Sequence, residues 1–393
     1  MKYTSNDYIV AIRRELHRVP EIGYDLPKTL AIVKRELEKI GIGYTEKYGK
    51  SSIVAEINSE MQDFTIALRA DMDALPIEEK TGLPFSSEHA GAMHACGHDA
   101  HTATLLGAVR ALYAMREKIK CRVRFIFQPN EEGVDSAAAL LVKNGILDGV
   151  DVILGLHVDN SIESGRIGVC PGASMASCRN FTLEFFGKTA HAALSHTGAD
   201  ALSAAVSAYT EIQTMLARRV DPSKPRVCSI GVLNAGKAQN VVADHAVMRG
   251  TIRACETEID NQIYNEIKKI AEKSAENTGC TYNLDSSVFL PPVYNDPKIS
   301  ELLRASASCV AGEENVVTIA PKMSSEDFAD YLTVVPGVFF RIGTATPGYD
   351  TQTSAHNNDF VIDESALSKG ADIFVQFILD NMETKNEKNT SDK

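Results

Sequence analysis

The sequence lacks any apolar run that approaches the roughly 20 residues of a membrane-spanning helix, and its first residues lead directly into an amphipathic pattern without the apolar core of a signal peptide. Basic residues are also in short supply, with 40 Lys and Arg against 52 Asp and Glu and a formal net charge of −12. Such a charge disfavours nucleic acids and anionic membranes as partners. We therefore expect a cytoplasmic protein that binds neither.

Disulfide-like spacing is absent as well. The eight cysteines are scattered along the chain, which predicts reduced thiols in a cytoplasmic protein. Internal repeats are not evident. The 393 residues exceed the roughly 250–300 residues over which a single core grows, so we expect two domains.

Short apolar segments alternate with helical patterns in the first part of the chain. Residues 65–68, 123–127 and 152–156 have the composition of buried strands, and residues 101–119 have the period of a helix. This order predicts an α/β domain with a mostly covered sheet.

The middle of the chain changes character and predicts a β-α-β-β-α-β order, the split ferredoxin-like unit. We predict that residues 178–290 form an inserted domain, and that residues 1–177 and 291–393 form one discontinuous domain. The polar residues 384–393 are expected to be disordered. The strand patterns lie at 181–185, 227–233, 246–252 and 281–289, and the helical patterns lie at 199–219 and 256–277.

Residues 94–101 concentrate side chains that bind metals, including three of the ten histidines of the chain. Thiolate and imidazole are preferred ligands of zinc-like ions. Cys96 and His98 are separated by Gly97, which permits a tight turn that aims both at one point. The alternative interpretation is chance clustering or a helix cap at Asp99.

Three further segments place acidic or imidazole side chains after apolar strands or in a polar loop. Glu131 and Glu132 follow the strand pattern 123–127, His157 follows 152–156, and His356 lies in a polar loop. Ligand sites in open α/β sheets lie beyond the carboxyl ends of strands. Taken singly, each segment is more typical of a solvated turn, a structural histidine or an exposed loop.

Taken together, these segments supply five candidate ligands, and Glu131 is left to act as a base. Five ligands exceed the three of a mononuclear catalytic zinc site, so two metal ions with a bridging group fit better. Asp71 follows another strand, where it either orients a ligating histidine or serves as a turn or cap aspartate. The candidate ligands are Cys96, His98, Glu132, His157 and His356.

The chain as a whole resembles the M20 metallopeptidases. Within them it is most similar to the amidohydrolase branch of hippurate hydrolases, bacterial N-acyl-amino-acid amidohydrolases and plant auxin-conjugate hydrolases. The matching motifs run from near the N-terminus to about residue 365. They lie at 15–21, 69–76, 93–102, 128–133, 155–158, 187–193, 250–253, 325–328 and 356–357.

The resemblance implies a catalytic domain with a mostly parallel mixed sheet and an inserted βαββαβ lid. Some members of the family form homodimers through this lid. It implies the same five ligands for two divalent ions of zinc, manganese, cobalt or nickel, and Glu131 as general base beside a metal-bound hydroxide. His191 of the lid would polarise the substrate carbonyl, and Asn240 would lie near the substrate. The implied substrate is an N-acyl amino acid or a peptide-like molecule.

The sequence departs from the usual pattern of this branch at Asn130, at residues 134–136, at Thr189-Ala190 and at Ala355. None of these changes removes a ligand or the base, but they leave the subgroup and the substrate open. The rival functions are a dipeptidase or carboxypeptidase of the same family, an inactive metal-binding scaffold, and a hydrolase with Cys96 as nucleophile.

Overall fold

The computed structural model describes residues 2–133, 135–346 and 354–382, apart from the side chains of Ser287 and Val288. Residues 384–393, for which the sequence predicts disorder, lie outside the described residues.

Strands and helices alternate through most of the chain. The strands are β1 (Tyr44–Thr45), β2 (Ile53–Ile57), β3 (Thr65–Asp71), β4 (Arg122–Gln128), β5 (Val152–Glu163), β6 (Ile167–Val169), β7 (Gly172–Met175), β8 (Cys178–Phe186), β9 (Arg226–Ala235), β10 (His245–Ala254), β11 (Thr281–Leu290), β12 (Val293–Asn295), β13 (Val316–Thr318) and β14 (Gly337–Ala345). The helices are α1 (Asn6–His17), α2 (Pro27–Ile40), α3 (His98–Ala114), α4 (Ala137–Lys143), α5 (Ala201–Arg218), α6 (Thr257–Thr278), α7 (Pro297–Ala311), α8 (Phe328–Leu332) and α9 (Leu367–Asn381).

Contacts between Cα atoms divide the chain into two compact units. The first unit holds Met1–Gly172, Tyr294–Ala320 and Asp330–Lys393, and the second holds Ala173–Val293 and Pro321–Ala329. From the sequence, residues 173–177, 291–293 and 321–329 were expected in the first domain.

The reason for this difference is a set of long-range contacts within the second unit. The backbone N–H of Ala176 donates to the carbonyl oxygens of Lys322 and Ser324, both at 3.0 Å. The guanidinium of Arg253 donates to Ser325 Oγ at 2.7 Å. No local sequence pattern specifies such contacts.

The first unit is built on an eight-stranded sheet in the order β1-β2-β4-β3-β5-β14-β6-β13. The four central strands are parallel, and antiparallel pairs flank them on both sides. Every residue of β3 is buried, as expected for a central strand that is covered on both faces. This sheet confirms the predicted mostly parallel α/β fold.

Helix α3 packs against β3, and helices α1 and α9 pack against α3. The bounds of α3 differ from the predicted 101–119. The helix begins at His98, directly after the left-handed Gly97, and ends at Ala114, before a 3-10 turn. The N-terminal end of α3 therefore lies at the Cys96–His98 segment.

The second unit has an antiparallel four-stranded sheet in the order β11-β8-β10-β9 with helices α5 and α6 between its strands. Its own apolar core joins residues of both helices to the helix-facing residues of the sheet. The chain order β8-α5-β9-β10-α6-β11 is the predicted ferredoxin-like unit.

Within the described ranges, no helix is both long enough and apolar enough to span a bilayer.

Candidate metal centre

The two adjacent glutamates lie in the turn that follows β4. Asn130, just before them, has a left-handed backbone with a φ of 54°, a conformation that Asn adopts more readily than most residues. Asp73 anchors the turn, because its Oδ1 accepts the Glu131 N–H at 2.9 Å and its Oδ2 accepts the Glu132 N–H at 3.0 Å. The backbone direction of both glutamates is thereby fixed.

Cys96 and His98 are held by the turn at Gly97. Gly97 has a φ of +86°, and a Cβ atom there would lie 2.4 Å from Val158 Cγ2. A side chain at this position would therefore be strained by its backbone and would clash with its neighbour. Both Cys96 and His98 are buried, and the turn brings their ligand atoms to within 4.8 Å of each other.

His157 lies inside β5. The pairing of β5 with β3 ends at Gly155, two residues before His157. The sequence indicated a strand end here, but β5 continues to Glu163 alongside β14. The Nδ1 atom of His157 is within hydrogen-bond distance of the carbonyl oxygen of the next residue. Its Nε2 atom lies 3.3 Å from Cys96 Sγ.

His356 reaches the same place from the C-terminal part of the chain. Its backbone is left-handed, with a φ of 69°, and its N–H donates to the carbonyl oxygen of Ala95 at 2.8 Å. Its Nε2 atom lies 3.1 Å from Glu132 Oε1. The loop that carries His356 is thus hydrogen-bonded directly to the Cys96 segment.

The five predicted ligands form two overlapping groups, and within each group all ligand atoms lie within 4.8 Å of one another. Cys96 belongs to both groups. The structure therefore brings all five together within the first unit, with the thiol at the centre. The groups are Cys96, His98 and His157, and Cys96, Glu132 and His356.

The donor atoms of these groups fit a divalent metal ion. Both ring nitrogens of His98 and the Oε1 atom of Glu132 are buried without a hydrogen-bond partner among the described residues, although buried polar atoms normally have one. The Glu132 oxygen approaches His356 without hydrogen-bond geometry. Sulfur, imidazole and carboxylate at such spacings suit zinc, manganese, cobalt or nickel.

The electrostatics of the protein alone disfavour a thiolate at this site. Burial raises the pKa of Cys96 to about 12, and the charge of Glu132 adds to the effect. Burial holds the pKa of His157 well below 6.5, so its ring is neutral and able to ligate. At His98 burial acts to lower the pKa, but the charge of Asp71 together with the contacts to Asp73 and Cys96 raises it above its usual value. A bound cation supplies the positive charge that a coordinating thiolate needs.

For Asp71 the sequence left two roles open, orientation of a ligating histidine or a turn or cap, and its short contacts are with His101 and Arg69. Its Oδ1 is 2.6 Å from His101 Nδ1, and its Oδ2 accepts from Arg69 at 2.6 Å. His101 Nε2 in turn accepts the Val158 N–H at 3.0 Å, which fixes the backbone of β5. The ring of His98 is farther away, with Nε2 3.9 Å from Asp71 Oδ2.

His191 and Asn240 lie in the second unit, where the structure brings their two segments together. The N–H of Ala192 donates to the carbonyl oxygen of Asn240 at 3.0 Å, and both His191 and Asn240 are exposed. The Nδ1 atom of His191 accepts the Ala193 N–H at 3.2 Å. In the neutral ring the proton is therefore on Nε2, which makes that atom a hydrogen-bond donor.

Asp99 does not cap helix α3, because that helix has no side-chain cap. Its Oδ2 atom lies 2.7 Å from Arg13 Nε and 2.7 Å from His17 Nδ1, and all three residues are buried. His17 Nε2 also lies 3.3 Å from Glu79. This network ties α1 to the first turn of α3. In the sequence, only the family motif at residues 15–21, which contains His17, pointed to this network.

Comparison with known proteins gives a consistent result. The sequence profile of peptidase family M20/M25/M40 matches residues 67–380. An N-acetyl-L-cysteine deacetylase from Bacillus subtilis is 38% identical over 368 residues, covering 94% of this chain and 86% of the relative. The IAA-amino acid hydrolase ILR1-like 4 from Arabidopsis thaliana is 34% identical over 371 residues, covering 93% of this chain and 84% of the relative.

A solved structure is similar over almost the whole chain. The Bacillus subtilis YXEP protein, described as a dinuclear metal binding peptidase from the M20 family, is 33% identical with a TM-score of 0.82. The match covers 96% of this chain and 99% of that chain.

A mixed α/β sheet with clustered sulfur, imidazole and carboxylate donors, interrupted by a ferredoxin-like unit, defines a class of metal-dependent amidohydrolases. More narrowly, the chain belongs to peptidase family M20, as the resemblance in its motifs predicted.

Proposed function

We propose that this enzyme hydrolyses the amide bond of N-acyl amino acids and releases a carboxylic acid and a free amino acid. The observation that carries the proposal is the anchored glutamate pair, in which Glu132 groups with Cys96 and His356, whereas Glu131 groups with His98 and Glu132 but not with Cys96. Relatives named for an N-acetyl amino acid and for IAA-amino acids support this substrate class.

Two divalent cations would be held by the two ligand groups that share Cys96. The sharing favours a pair of ions over a single ion, in agreement with the description of the similar Bacillus subtilis structure. When bound, such cations lower the pKa of water from about 15.7 toward about 7 and polarise the carbonyl oxygen of the amide.

Glu131 acts as general base and then as general acid. Its Oε2 atom lies 3.8 Å from His98 Nε2, which places the carboxylate next to the ligand atoms. Its side chain is 9% exposed, so a carboxylate held there is well shielded from bulk water. Glu131 takes the proton of the attacking water and returns it to the leaving nitrogen.

The second unit acts as a lid that supplies His191 and Asn240 to the substrate. The tautomer set by the Ala193 N–H leaves Nε2–H of His191 to donate to the carbonyl oxygen as negative charge develops there. Asn240, on the neighbouring segment, contributes an amide to substrate binding.

We further propose a homodimer formed through the second unit. Leu202, Val206 and Tyr209 are spaced to share one face of α5 and are 43%, 50% and 41% exposed. Strand β9 is an edge of its sheet, so it presents unpaired backbone groups. Light scattering should give a dimer for the wild type and a monomer for Val206→Asp, whereas Leu140→Asp, an exposed apolar position in the first unit, should remain a dimer.

The cytoplasm is the proposed location. All eight cysteines lie within the described residues and are free thiols, as expected for a protein that is kept under reducing conditions.

A substrate panel with matched metal control tests the function. N-acetyl, N-benzoyl and long-acyl amino acids and unblocked dipeptides should be assayed with added zinc, manganese, cobalt or nickel. Cleavage of the acylated compounds that stops with a chelator and returns with metal is the expected result. A preference for unblocked dipeptides would favour a peptidase, and activity in excess chelator would favour a cysteine nucleophile. Absence of all turnover would favour an inactive scaffold.

A further inference from the structure

The turn that carries His191 exposes apolar side chains around the imidazole. Leu194 is 54% exposed and Val241 is 44% exposed, and Ala192 and Ala193 of the same turn are exposed as well. A single exposed apolar residue is ordinary on a protein surface, whereas a group of adjacent ones marks a contact site. Ala192, Ala193, Leu194 and Val241 together are called the lid patch below.

Backbone pairing places the two larger members of the lid patch next to His191. Val241 forms an antiparallel bridge with His191, and residues that oppose each other in such a pair project to the same face. The N–H of Leu194 donates to the carbonyl oxygen of His191 at 2.7 Å. A turn closed in this way holds its first and fourth residues within about 7 Å of each other. The imidazole therefore has an apolar neighbour on each of the two segments.

Hydrogen bonds fix the backbone of the lid patch. The hydroxyl of Thr197 donates to the carbonyl oxygen of Leu194 at 2.8 Å, so both backbone groups of Leu194 have partners. The N–H of Val242 donates to the carbonyl oxygen of Ala190 at 2.9 Å, which joins the two segments beside His191. The exposure of Leu194 is therefore a property of a defined turn and not of a mobile loop.

The chemistry of the proposed substrate decides which of its halves suits the lid patch. His191 is proposed to donate to the carbonyl oxygen of the amide, and the acyl chain begins at the carbon of that same carbonyl. The other half is an amino acid with a charged carboxylate, whose desolvation against an apolar surface is costly unless a basic group pairs with it. Residues 191–194 and 240–241 include neither Lys nor Arg. An uncharged acyl chain is therefore the better occupant.

We propose that Leu194 and Val241 form the acyl-binding surface of the lid and select acyl groups that are apolar and larger than acetyl. The inference rests on the proposed function, since it assumes that His191 faces the acyl carbonyl. An acetyl group extends one carbon beyond the carbonyl and covers little of the lid patch. The names of the relatives leave the size of the acyl group open, because one refers to an N-acetyl amino acid and another to IAA-amino acids.

The test is the dependence of kcat/KM on acyl length at saturating metal. The substrates are the acetyl, butanoyl, hexanoyl and benzoyl derivatives of the amino acid that the substrate panel favours. A fully buried methylene contributes about fourfold, so a chain with one face on the lid patch should gain about twofold per carbon from acetyl to hexanoyl. Leu194→Ala should lower kcat/KM at least fivefold for hexanoyl and less than twofold for acetyl. Leu194→Met, which keeps an apolar side chain of similar volume, should retain the wild-type dependence.

Two further variants separate this role from others. Leu140→Ala is the matched control, because Leu140 is an exposed leucine of helix α4 in the first unit, with 42% exposure. Its dependence on acyl length should equal that of the wild type. His191→Ala should lower kcat by the same factor for every acyl group, because it acts on the carbonyl oxygen that all these substrates share.

Several results would overturn the inference. One is a wild-type kcat/KM that falls or stays constant from acetyl to hexanoyl, and another is an equal loss for all acyl groups in Leu194→Ala. A loss that follows the amino-acid side chain, with the acyl group held constant, would assign the lid patch to the leaving amino acid. A monomeric Leu194→Ala protein beside a dimeric wild type would assign it to an interface between two copies of the chain.

Val241→Ala is measured in parallel and should show the same loss for long acyl groups. If Leu194→Ala does not fold, Val241→Ala decides the question by the same criteria. Absence of turnover with every N-acyl amino acid in the wild type would instead refute the proposed function. Turnover without the expected dependence on acyl length would refute only the role of the lid patch, so the two failures are distinguishable.

Discussion

Replacing Cys96 with serine should weaken the binding of both metal ions at once. Cys96 is common to the two ligand groups, so each ion loses one of its three clustered protein ligands. Apparent zinc-binding free energies of about 10–16 kcal/mol for four-ligand sites correspond to about 3 kcal/mol per ligand. That loss lowers the affinity for each ion by about 100-fold.

His356→Ala should affect a single ion, because His356 belongs to one group only. Elemental analysis after dialysis against a weak chelator should give about two ions for the wild type, about one for His356→Ala and less than one for Cys96→Ser. Cys121→Ser is the control, since Cys121 is also a buried thiol whose pKa burial raises to about 12, yet it lies in neither group. If Cys96→Ser and Cys121→Ser retain the same metal content, the thiol at position 96 is not a ligand.

Four other changes probe the site and its support. Glu131→Gln should lower kcat by about 10²–10⁴-fold with metal retained, and wild-type turnover in the metal-loaded variant would contradict a base at this position. His191→Ala should lower kcat by about 10²–10³-fold at full metal occupancy. A loss below about threefold would remove it from the mechanism. Gly97→Ala should lower the free energy of unfolding in urea by at least the roughly 1–2 kcal/mol of a left-handed Ala, since its Cβ would also clash with Val158; unchanged stability would refute the assignment of a left-handed turn. Burial acts to raise the pKa of Glu79, but its hydrogen bonds with His17 and Thr81 lower it to about 2. A lowered folded pKa stabilises the protein above pH about 4.5, and this contribution is lost as the pH falls toward about 2. Glu79→Gln should therefore reduce the free energy of unfolding more at pH 7 than at pH 3, and an equal reduction at both would refute the pKa shift.

The sequence predicts the fold well where the signal is local, and it also identifies the candidate ligands. Apolar runs at 65–68 and 123–127 lie within β3 and β4, because buried parallel strands need apolar side chains on both faces. The ligands could be chosen because sulfur, imidazole and carboxylate are uncommon beside such strands. Their convergence was an inference from chemistry, and the structure brings them together.

Features that depend on long-range geometry could not be predicted. Asp71 and Asp73 stand two residues apart, and which of them faces His98 depends on how the chain turns after β3. The placement of residues 321–329 in the second unit depends on hydrogen bonds to Ala176, about 150 residues earlier in the chain. No periodicity within either segment carries that information.

The order of the ligands along the chain affects how the enzyme is made. Cys96, His98 and His157 are all translated before the second unit begins, whereas His356 emerges after that unit is complete. Helix α9, which packs against α3, is translated later still. A nascent chain can therefore gather the donors of the first group early. It gains the second group, and the helix that supports the start of α3, only near the end of synthesis. On the proposed ligand set, the second ion can bind only after His356 has been made, so a chain truncated before His356 should retain at most one ion.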